Sequence, residues 1–370
     1  MYSTPKLAFI SNIAAPYELK FLPALSKYFE IKYFYHSHVG TWRPSWWKIE
    51  LPEQAEKVKF QIFRRGGRYL GIGLWTQLSS FQPDIVIADS FFNPSTFLAY
   101  LWSRSNKTSF FIRTETLRRK GYFLSKESLR ARFLRLIYKR DNLSGILAVH
   151  KDAVNQIESL FPHLSGKIHI LRTPVDIDNN FAHKIRVKRT GYRYLFANNL
   201  TKNYGALKVL EIFRQIHKKY PESTMKMNAV GELRKSVELF IIENNLTSAI
   251  SFLDEIRSWD DLHTIYQNSD ILLFPAIHSN GNQSIEEAMA SGMGIIISNR
   301  ILNDRDKVSA NGGFVVEPET EYFLSAVESY IQNPQLFAEH SEVNRDALRW
   351  RLNKQTAKDY HELLKVFLPQ

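Results

Sequence analysis

The sequence predicts an α/β protein made of two doubly wound, Rossmann-like domains that face each other across a cleft. Three observations predict this fold class. Short, continuously apolar runs, which are typical of buried parallel strands, alternate with helical patterns along the chain. The 370 residues are enough for two domains of ordinary size. A polar segment over residues 173–193, rich in Asp, Asn and basic residues, interrupts the alternation and is predicted to be the linker.

The first domain is predicted to cover residues 1–172. Its first strand is followed by a helical pattern that starts at Tyr17 and places Phe21, Leu22, Leu25 and Tyr28 on one side. Apolar runs predict its strands at 7–11, 31–35, 84–88, 109–112, 145–149 and 168–171.

The second domain is predicted to cover residues 194–348. Helical patterns at 206–219 and 233–244 separate its first strands, and a further helix at 284–290 follows a polar loop. A C-terminal helix is predicted over 349–370, with the N-terminal domain as its candidate packing partner. The strands of this domain are predicted at 194–197, 225–230, 250–253, 271–274, 294–298 and 313–316.

Composition excludes several classes of protein. Cysteine is absent, which excludes disulfide staples, thiolate zinc sites and a cysteine nucleophile. No apolar run approaches the roughly 20 residues that cross a bilayer. The first residues lack the basic start and apolar stretch of a signal peptide. A cytoplasmic chain is therefore expected.

Positive charge is concentrated in one segment. The net charge is +12, and ten lysines and arginines oppose two glutamates between residues 113 and 140. That segment contains an amphipathic helical pattern, which fits two interpretations: a solvated face over a core-packed helix, or a surface that binds anionic lipid headgroups. Nucleic acid is not an expected partner, because aromatic residues do not interleave with the charges. The candidate membrane-binding residues are Arg130, Arg132, Arg135 and Lys139.

No metal or dinucleotide cofactor is predicted. The Asp-x-Asp pairs at 176–178 and 304–306 lack a third oxygen ligand nearby. His36 and His38 are placed on one face of a strand, and two imidazoles are too few for a zinc site. Gly71 and Gly73 begin a dinucleotide fingerprint, but Thr76 occupies the position of its third glycine.

The stretch from 270 to 298 is the strongest candidate for a nucleotide site. A buried strand leads through a polar loop with Gly281 into the helix at 284–290. Backbone N–H groups without helical partners, together with the helix dipole, favour a phosphate at such a position. Glu286 or Glu287, one turn into the helix, is placed to reach the hydroxyl pair of a sugar. A generic strand-loop-helix unit is the alternative.

The motifs of this second half resemble glycosyltransferase family 4, which has the GT-B fold. Eleven residues separate Phe274-Pro275 from the run EAMASGM, which starts at Glu287. The two segments at this spacing resemble the nucleotide-sugar site of the family. Val230-Gly231-Glu232-Leu233 and the run NGGFVV at 311–316 match weaker family patterns. Near the start, the run from Asn12 to Tyr17 and the segment at 43–47 resemble members that build bacterial surface polysaccharides.

The resemblance implies a retaining, metal-independent hexosyltransferase. Its donor is a nucleoside-diphosphate sugar, which is a substrate rather than a cofactor, and its acceptor is a glycan or a lipid-linked glycan in surface polysaccharide or lipopolysaccharide synthesis. The donor binds the second domain and the acceptor the first. The basic segment at 113–140 separately predicts an enzyme held at the inner face of the cytoplasmic membrane. Donor-binding positions carried over are Asn199, Gly231, Ser279, Asn282, Gln283, Ser284 and Glu287; acceptor-binding positions are Asn12, Pro16 and Tyr17.

The sequence departs from the family at three positions. The family has two glutamates separated by seven residues; Glu287 matches the second, but Ser279 occupies the first. Asn199 and Tyr204 stand where the family has an arginine and a lysine that stabilise the diphosphate. Lys202, two residues before the lysine position, is the candidate substitute for this cation, with Arg113 or Arg118 of the first domain as the other source.

Members of the family often have a histidine in the first domain that faces the donor sugar. Glu115 matches the position that takes this place in a related subgroup, and it is the second catalytic candidate after Lys202. These departures leave two hypotheses open. One is an active glycosyltransferase with a modified donor site. The other is a catalytically inactive GT-B pseudoenzyme that binds a sugar nucleotide or a partner protein.

Overall fold

The structure, a computed structural model, describes residues 4–38, 46–47, 50–65, 68–119, 122–138, 143–173, 191–254, 256–279, 281, 283–302, 308–310, 312–348 and 353–368. The chain forms two compact units. Unit 1 comprises Met1–Thr41, Lys48–Pro174 and Asn353–Gln370, and unit 2 comprises Trp42–Trp47 and Val175–Leu352. Most of the predicted linker at 173–193 lies outside the described residues.

Unit 1 is built on a seven-stranded parallel sheet of order β11-β10-β7-β6-β1-β2-β3. An antiparallel hairpin of β4 and β5 and a short β8–β9 pair lie outside this sheet. The strands are β1 (Lys6–Ile13), β2 (Glu30–Ser37), β3 (Ala55–Lys57), β4 (Gln61–Arg65), β5 (Arg68–Gly71), β6 (Ile85–Asp89), β7 (Ser109–Thr114), β8 (Arg118–Arg119), β9 (Tyr122–Phe123), β10 (Gly145–Ala148) and β11 (Ile168–Ile170).

Helices cover both faces of this sheet. One core cluster joins the sheet to α3, α4, α5 and α6, and the other joins its opposite face to α1, α2 and α13. A doubly wound parallel sheet is therefore confirmed for unit 1. The helices are α1 (Pro16–Leu19), α2 (Leu22–Leu25), α3 (Gly73–Phe81), α4 (Pro94–Asn106), α5 (Leu129–Ile137), α6 (Lys151–Leu160) and, from the end of the chain, α13 (Asn353–Leu364).

The single helix predicted from Tyr17 is wrong, because the structure has two short helices, α1 and α2, in its place. Pro23 is the second residue of α2 and has no N–H to donate to the carbonyl of Leu19. Phe21, Leu22 and Leu25 of the pattern are buried nevertheless, and Tyr28 is half-buried. The helical spacing therefore identified core residues correctly but overlooked the break.

Helix α13 is part of unit 1. Its residues Ala357, Tyr360 and Leu364 are buried in the same core cluster as β1 and α2. The ring of Tyr360 meets that of Phe21 edge-on, with centroids 5.4 Å apart, and Phe367 meets Phe111 in the same way at 4.9 Å. The end of the chain thus closes one face of the N-terminal sheet.

A buried cluster of charges lies at the carboxyl ends of β1, β6 and β7. Arg113 donates from Nε to Asp89 Oδ1 at 2.7 Å and from Nη2 to Asp89 Oδ2 at 2.9 Å, and it also pairs with Glu18. Tyr33 donates its hydroxyl to the other oxygen of Glu18. Burial raises the pKa of Glu18, while the charge of Arg113 opposes that rise. The two carboxylates and the guanidinium therefore depend on one another.

His36 is a buried imidazole in β2 whose two ring nitrogens have no hydrogen-bond partner among the described residues. Its ring stacks on Tyr69, with centroids 5.1 Å apart. Burial lowers the pKa of His36 to about 4. His38 follows the end of the strand and is exposed, so the predicted pair of neighbouring histidines does not share one environment.

We expect His36 to make the protein less stable in acid. The unfolded chain binds a proton near pH 6.5, whereas the folded chain resists protonation until about pH 4. The contribution of neutral His36 is therefore complete above pH 6.5, and about 3 kcal/mol of it is lost between pH 6.5 and 4. Denaturant titrations at pH 7.5 and 4.5 should show that His36→Phe loses less stability on acidification than the wild type. Exposed His38→Phe is the matched control, and an equal loss in wild type and His36→Phe would contradict the prediction.

Unit 2 contains a six-stranded parallel sheet of order β14-β13-β12-β15-β16-β17. The adjacent inner strands β15 and β16 are buried along their whole length. A second doubly wound sheet is thereby confirmed. The strands are β12 (Arg193–Phe196), β13 (Thr224–Met227), β14 (Ile250–Phe252), β15 (Ile271–Phe274), β16 (Gly294–Ser298) and β17 (Phe314–Val316).

Long amphipathic helices alternate with these strands. Helix α12 supports α10, because Ser341 donates to the carbonyl of Gly292 at 2.5 Å, directly after α10 ends. The helices are α7 (Ala206–Lys219), α8 (Arg234–Glu243), α9 (Leu262–Gln267), α10 (Gln283–Ala290), α11 (Thr320–Gln332) and α12 (Pro334–Leu348). Every strand that the sequence predicted is present in the two units, with ends shifted by at most about three residues.

Candidate functional site

The strand order of unit 2 reverses between β12 and β15. Counted along the chain, the strands run 3-2-1-4-5-6, so the connection after the first strand leads to one side and that after the fourth to the other. In sheets of this kind the loops at the carboxyl ends diverge at the reversal and leave a crevice in which ligands bind. The loops that follow β12 and β15 are therefore the expected position of a ligand site.

These two loops are tied together. The backbone N–H groups of Ile277 and His278 both donate to the carbonyl oxygen of Asn203, at 2.9 and 3.1 Å. Gly205, at the start of α7, has a φ of +76°, and a Cβ there would lie 2.1 Å from the carbonyl oxygen of Pro275. Only glycine accommodates this contact. The close approach fixes the start of α7 against the loop that leads to α10.

A third loop, after β13, closes the crevice. The N–H of Leu200 donates to the carbonyl of Val230 at 2.8 Å, and a Cβ on Gly231 would lie 2.4 Å from that same Leu200 nitrogen. Asn228 donates from Nδ2 to the carbonyl of Ala197 at 3.1 Å. Gly231 is thus required for the packing of two site loops against each other.

Helix α10 carries the acidic group of the site. Glu287, on the second turn of the helix, is buried and accepts a hydrogen bond from the hydroxyl of Tyr266 in α9, with 2.5 Å between the oxygens. Burial and the neighbouring carboxylate both raise the pKa of Tyr266, which keeps this hydroxyl protonated. Ser284, one turn earlier, donates its hydroxyl to Asn198 Oδ1 at 3.3 Å. Tyr266 thereby holds the Glu287 carboxylate in one orientation.

These side chains surround one pocket in unit 2. One wall is aromatic: Trp47, from the short segment 42–47 that belongs to this unit, meets Trp259 edge-on with ring centroids 6.0 Å apart. The opposite wall is polar and is formed by amides, a hydroxyl and Glu287. The lining residues are Trp47, Ala197, Asn198, Asn199, Tyr204, Asn228, Leu253, Trp259, Leu262, Ile265, Tyr266, Gln283, Ser284 and Glu287.

The chemistry of this pocket suits a ligand with a flat ring, a diol and an anion. Aromatic and aliphatic walls bind planar rings, a single buried carboxylate accepts hydrogen bonds from hydroxyls, and the first turn of α10 offers backbone N–H groups. Among the described residues that line the pocket, none is lysine or arginine. Dipoles rather than cations therefore dominate the polar wall.

Four of the seven predicted donor-binding residues line this pocket together, namely Asn199, Gln283, Ser284 and Glu287. Gly231 lies beside it and acts through backbone packing. Ser279 is buried in the loop before α10, where its hydroxyl accepts from the N–H of Gly281 at 3.2 Å. Asn282 lies outside the described residues.

Lys202 lies in the turn between β12 and α7, next to Asn203, and is exposed. It does not line the pocket, and its ammonium makes no hydrogen bond or ion pair with the described residues. Arg113, the alternative cation, is held in the buried cluster with Glu18 and Asp89, so its charge is already compensated. For Arg118 the structure describes the strand but not the side chain.

The predicted acceptor residues lie at the corresponding reversal of the sheet in unit 1. In this sheet β1 lies between β2 and β6. Asn12, near the end of β1, accepts a hydrogen bond at 2.5 Å from Nδ2 of Asn93, which follows β6. Pro16 is the buried first residue of α1, and Tyr17 follows it half-buried. Glu115, directly after β7, is exposed.

The predicted membrane-binding residues belong to α5, apart from Lys139, which lies outside the described residues. Arg132 is exposed and Arg130 half-buried. Arg135 donates to the backbone carbonyls of Leu160 and Lys126, both at 2.9 Å, so part of its hydrogen-bonding capacity serves the fold.

Several lining residues were not assigned a role by the sequence. Tyr266 and Trp259 lie around the short helix α9, and Trp47 lies about 200 residues earlier in the chain. Asn198 and Asn228 follow the ends of adjacent strands. Their position after β12 and β13 is the only signal of a role in the site, because no short motif contains them.

Metal clusters and membrane-spanning helices are both absent from the residues that the structure describes. The described residues bring no three His, Asp or Glu side chains together as a metal site. Within the same residues, every helix is too short or too polar to cross a bilayer.

Residues 178–347, which span nearly all of unit 2, match the family model described as glycosyl transferases group 1. A curated relative is the uncharacterized glycosyltransferase MJ1059 of Methanocaldococcus jannaschii. It is 23% identical over 301 residues, which cover 74% of this chain and 70% of that protein. The match therefore extends into the N-terminal unit.

Solved structures share the fold over nearly the whole chain. Alr3699/HepE of Anabaena, in complex with UDP, matches with a TM-score of 0.75 at 13% identity and covers 98% of this chain and 100% of its own. WaaG, a glycosyltransferase involved in lipopolysaccharide biosynthesis, matches with a TM-score of 0.70 at 12% identity, covering 96% and 99%. At such identities the likeness shows the fold, which is that of GT-B glycosyltransferases.

Proposed function

We propose that this chain transfers a hexose from a nucleoside-diphosphate donor to an acceptor hydroxyl with retention of configuration. The match of residues 178–347 to the group 1 glycosyl transferase model supports the proposal. The observation that carries the proposal is the pocket at the strand-order reversal of unit 2, where Glu287 is buried and oriented by Tyr266. The two hypotheses drawn from the sequence make different use of this pocket.

The donor is proposed to bind with its parts matched to the two walls. The base packs against the aromatic wall of Trp47 and Trp259, and the ribose hydroxyls donate to Glu287. The diphosphate then lies toward the first turn of α10, where backbone N–H groups and the helix dipole favour negative charge. UDP is the first nucleotide to test, because a protein of the same fold has been solved in complex with it.

The leaving diphosphate is proposed to be stabilised without a metal. Preorganised donors aimed at developing charge are the largest contribution in many enzymes. The first turn of α10 supplies such donors, and the exposed Lys202, in the loop joined to the one before α10, supplies the cation. Glu115 keeps the catalytic role, toward the sugar, that the family resemblance implies.

The acceptor is proposed to be a glycan or a lipid-linked glycan of a cell-surface polysaccharide, bound by Asn12, Pro16 and Tyr17. The fold shared with a glycosyltransferase of lipopolysaccharide biosynthesis supports this assignment. A lipid-linked acceptor requires the enzyme at a membrane surface. We therefore propose peripheral association with the inner face of the cytoplasmic membrane through α5.

A second candidate is a protein that binds the nucleotide without turnover. The observation that favours it is the absence of lysine and arginine from the lining of the described pocket, where Asn199 and Tyr204 occupy the cation positions. Both candidates require nucleotide binding, and only the first requires release of the nucleoside diphosphate from its sugar donor. A panel of UDP-, GDP- and dTDP-sugars, measured by thermal shift and by nucleotide release, separates them. Nucleotide binding without release for every donor would favour the second candidate.

Glu287→Ala is expected to weaken nucleotide binding by about 1.5–3 kcal/mol, the usual contribution of a hydrogen bond to a charged group. In titration calorimetry this corresponds to a rise in Kd of roughly 10- to 150-fold. The physical reason is the loss of the one carboxylate found among the described residues that line the pocket.

Glu321→Ala, which removes an exposed carboxylate from α11 of the same unit, is the matched control and should leave the Kd unchanged. Because Glu287 is buried, folding of each variant is checked by thermal unfolding. An unaltered nucleotide Kd in folded Glu287→Ala would remove Glu287 from the donor site.

A further inference from the structure

Helices α3, α4, α5 and α6 lie in one layer on the same face of the unit 1 sheet. Their inward residues, among them Leu78, Tyr100, Leu134 and Ile157, belong to one core cluster. The β4–β5 hairpin is attached to this layer, because Ser95 at the start of α4 donates to the carbonyl of Tyr69 at 3.0 Å. The hydroxyl of Tyr100 donates to the carbonyl of Ile137 at 3.1 Å and joins α4 to α5. The outward sides of these elements therefore form neighbouring parts of one surface.

Large apolar side chains are exposed on this surface. On the hairpin side, Phe60 is 75% and Ile62 63% exposed, and α5 presents Leu129 at 82%, Leu136 at 71% and Phe133 at 62%. An amphipathic helix normally turns such residues inward. Here the inward positions of α5 are taken by Ala131 and Leu134. The exposed apolar residues of the layer are Phe60, Ile62, Phe63, Ile72, Trp75, Phe97, Leu101, Leu129, Phe133 and Leu136, which we call the apolar face.

The charges of the same elements have one sign. Strands β4 and β5 and helices α3, α4 and α5 together contain seven arginines and no aspartate or glutamate. The next helix of the layer, α6, contains Asp152 and Glu158 and has no exposed large apolar residue among those described. Along these elements the apolar side chains and the absence of carboxylates end together at α6, while exposed Glu127 lies in the turn just before α5.

This combination identifies the partner. Exposed apolar area of this extent on one side of a soluble unit indicates a contact surface. A protein partner would be expected to meet mixed charges, whereas arginines without carboxylates around an apolar surface complement anionic headgroups above acyl chains. Trp75 favours the same boundary between headgroups and chains, and Phe60 and Phe97 suit the apolar side of a surface that lies in that boundary.

We propose that the apolar face inserts into an anionic lipid bilayer, with the β4–β5 hairpin and α5 as two separate points of insertion. This inference rests on the proposed function, because insertion of the apolar face would bring the enzyme to a lipid-linked acceptor. It goes beyond electrostatic attraction of the α5 arginines, because it assigns a large part of the binding to buried apolar side chains. Binding of that kind resists salt, whereas headgroup attraction alone is screened at about 1 M ionic strength.

The test is flotation of the full chain with vesicles of phosphatidylglycerol and phosphatidylethanolamine, at about 0.15 M and about 1 M NaCl. The wild type is expected to float at both salt concentrations. Phe60→Ser/Ile62→Ser should lower the vesicle partition coefficient about tenfold or more at both, and Leu129→Ser/Phe133→Ser should do the same. Vesicles with brominated acyl chains should quench the tryptophan fluorescence of the wild type, and Trp75→Phe should remove much of that quenching.

Leu239→Ser/Ile242→Ser is the matched control. These residues are similarly exposed, at 58% and 63%, but lie on α8 of unit 2, whose sequence includes Glu238 and Glu243. The control should bind vesicles like the wild type. Binding by the wild type that disappears at high salt, or hairpin variants that bind like the control, would overturn the proposal. A dimer in light scattering that the hairpin substitutions dissociate, without vesicle binding, would assign the face to a second copy of the chain.

Nucleotide affinity is measured on the same variants. It should be unchanged in all of them, because none of the substituted residues lines the pocket. Vesicle binding without nucleotide binding by the wild type would refute the proposed function and leave the insertion surface standing. Nucleotide binding and turnover without vesicle binding would refute the insertion surface and leave the proposed function standing.

Discussion

Replacing Arg113 with methionine is expected to lower the free energy of unfolding by about 3–5 kcal/mol, measured by denaturant titration at pH 8. The guanidinium contacts Asp89 twice and Glu18 once, and all three side chains are largely buried. Methionine fills much of the volume but leaves two carboxylates without their cation. The loss in free energy of unfolding comes from burying carboxylates without a counter-charge, and not from the net stabilisation that the ion pair provides.

The sign of the pH dependence gives an independent check on this explanation. Burial already raises the pKa of Glu18, and removal of Arg113 takes away the charge that opposes the rise. A carboxyl group whose pKa is higher in the folded than in the unfolded chain favours folding when it is protonated. The difference in free energy of unfolding between the wild type and Arg113→Met should therefore be smaller at pH 5 than at pH 8. Adding Glu18→Gln to Arg113→Met should restore part of the lost free energy at pH 8.

Arg300→Met is the matched control for the charge. Arg300 pairs with Glu317 at 3.1 Å, but the two side chains are 56% and 44% exposed. An exposed pair contributes at most about 1 kcal/mol. If Arg113→Met were no more destabilising than this control, the buried cluster would not hold the carboxyl ends of β1, β6 and β7 together.

Lys202→Ala is expected to reduce kcat for nucleotide release by about 100-fold or more, which is the usual cost of losing one stabilising donor at a developing anion. The described residues that line the pocket include no lysine or arginine, so we expect a cation outside this set to stabilise the departing diphosphate. Lys202 is exposed in the turn beside Asn203, whose carbonyl binds the loop that leads to α10. Arg113 is engaged elsewhere, which leaves Lys202 as our candidate.

Two variants sharpen this experiment. Lys202→Arg should restore only part of kcat, because a guanidinium presents its charge with a different geometry. Lys218→Ala, at the far end of α7, removes an exposed lysine and should leave kcat unchanged. Normal turnover by folded Lys202→Ala would mean that the diphosphate is stabilised by α10 and the loop amides alone.

Local patterns were sufficient to predict the architecture. Continuous apolar runs such as 271–274 and 294–298 appear as fully buried strands at the predicted positions, because a strand covered on both faces has no polar side to interrupt the run. Helix α7 begins and ends at the predicted residues, since Gly205 and the approach to Pro221 mark its two ends. The hairpin of β4 and β5 was missed, because its short, basic strands lie outside the parallel sheet and show no apolar run.

The candidate site was predictable only where its residues lie close together in the sequence. Gln283, Ser284 and Glu287 share one helix, so a single motif identified them. Trp47 reaches the same pocket from a distant part of the chain, and Tyr266 reaches it from the preceding helix α9. Their contribution depends on strand order, which places loops side by side that no sequence spacing connects.

The sequence by itself determined the two doubly wound sheets, the helix that carries Glu287 and the excess of positive charge, because each of these is encoded in a short stretch of residues. Only the tertiary structure decided which side of α5 faces the core. Its spacing of Leu129, Phe133 and Leu136 is as suitable for burial as for exposure, and the neighbouring α4 and the sheet accept Ala131 and Leu134 instead. Tertiary packing likewise decided that Arg113 serves the fold, since its partners Glu18 and Asp89 meet it only when three parallel strands end side by side.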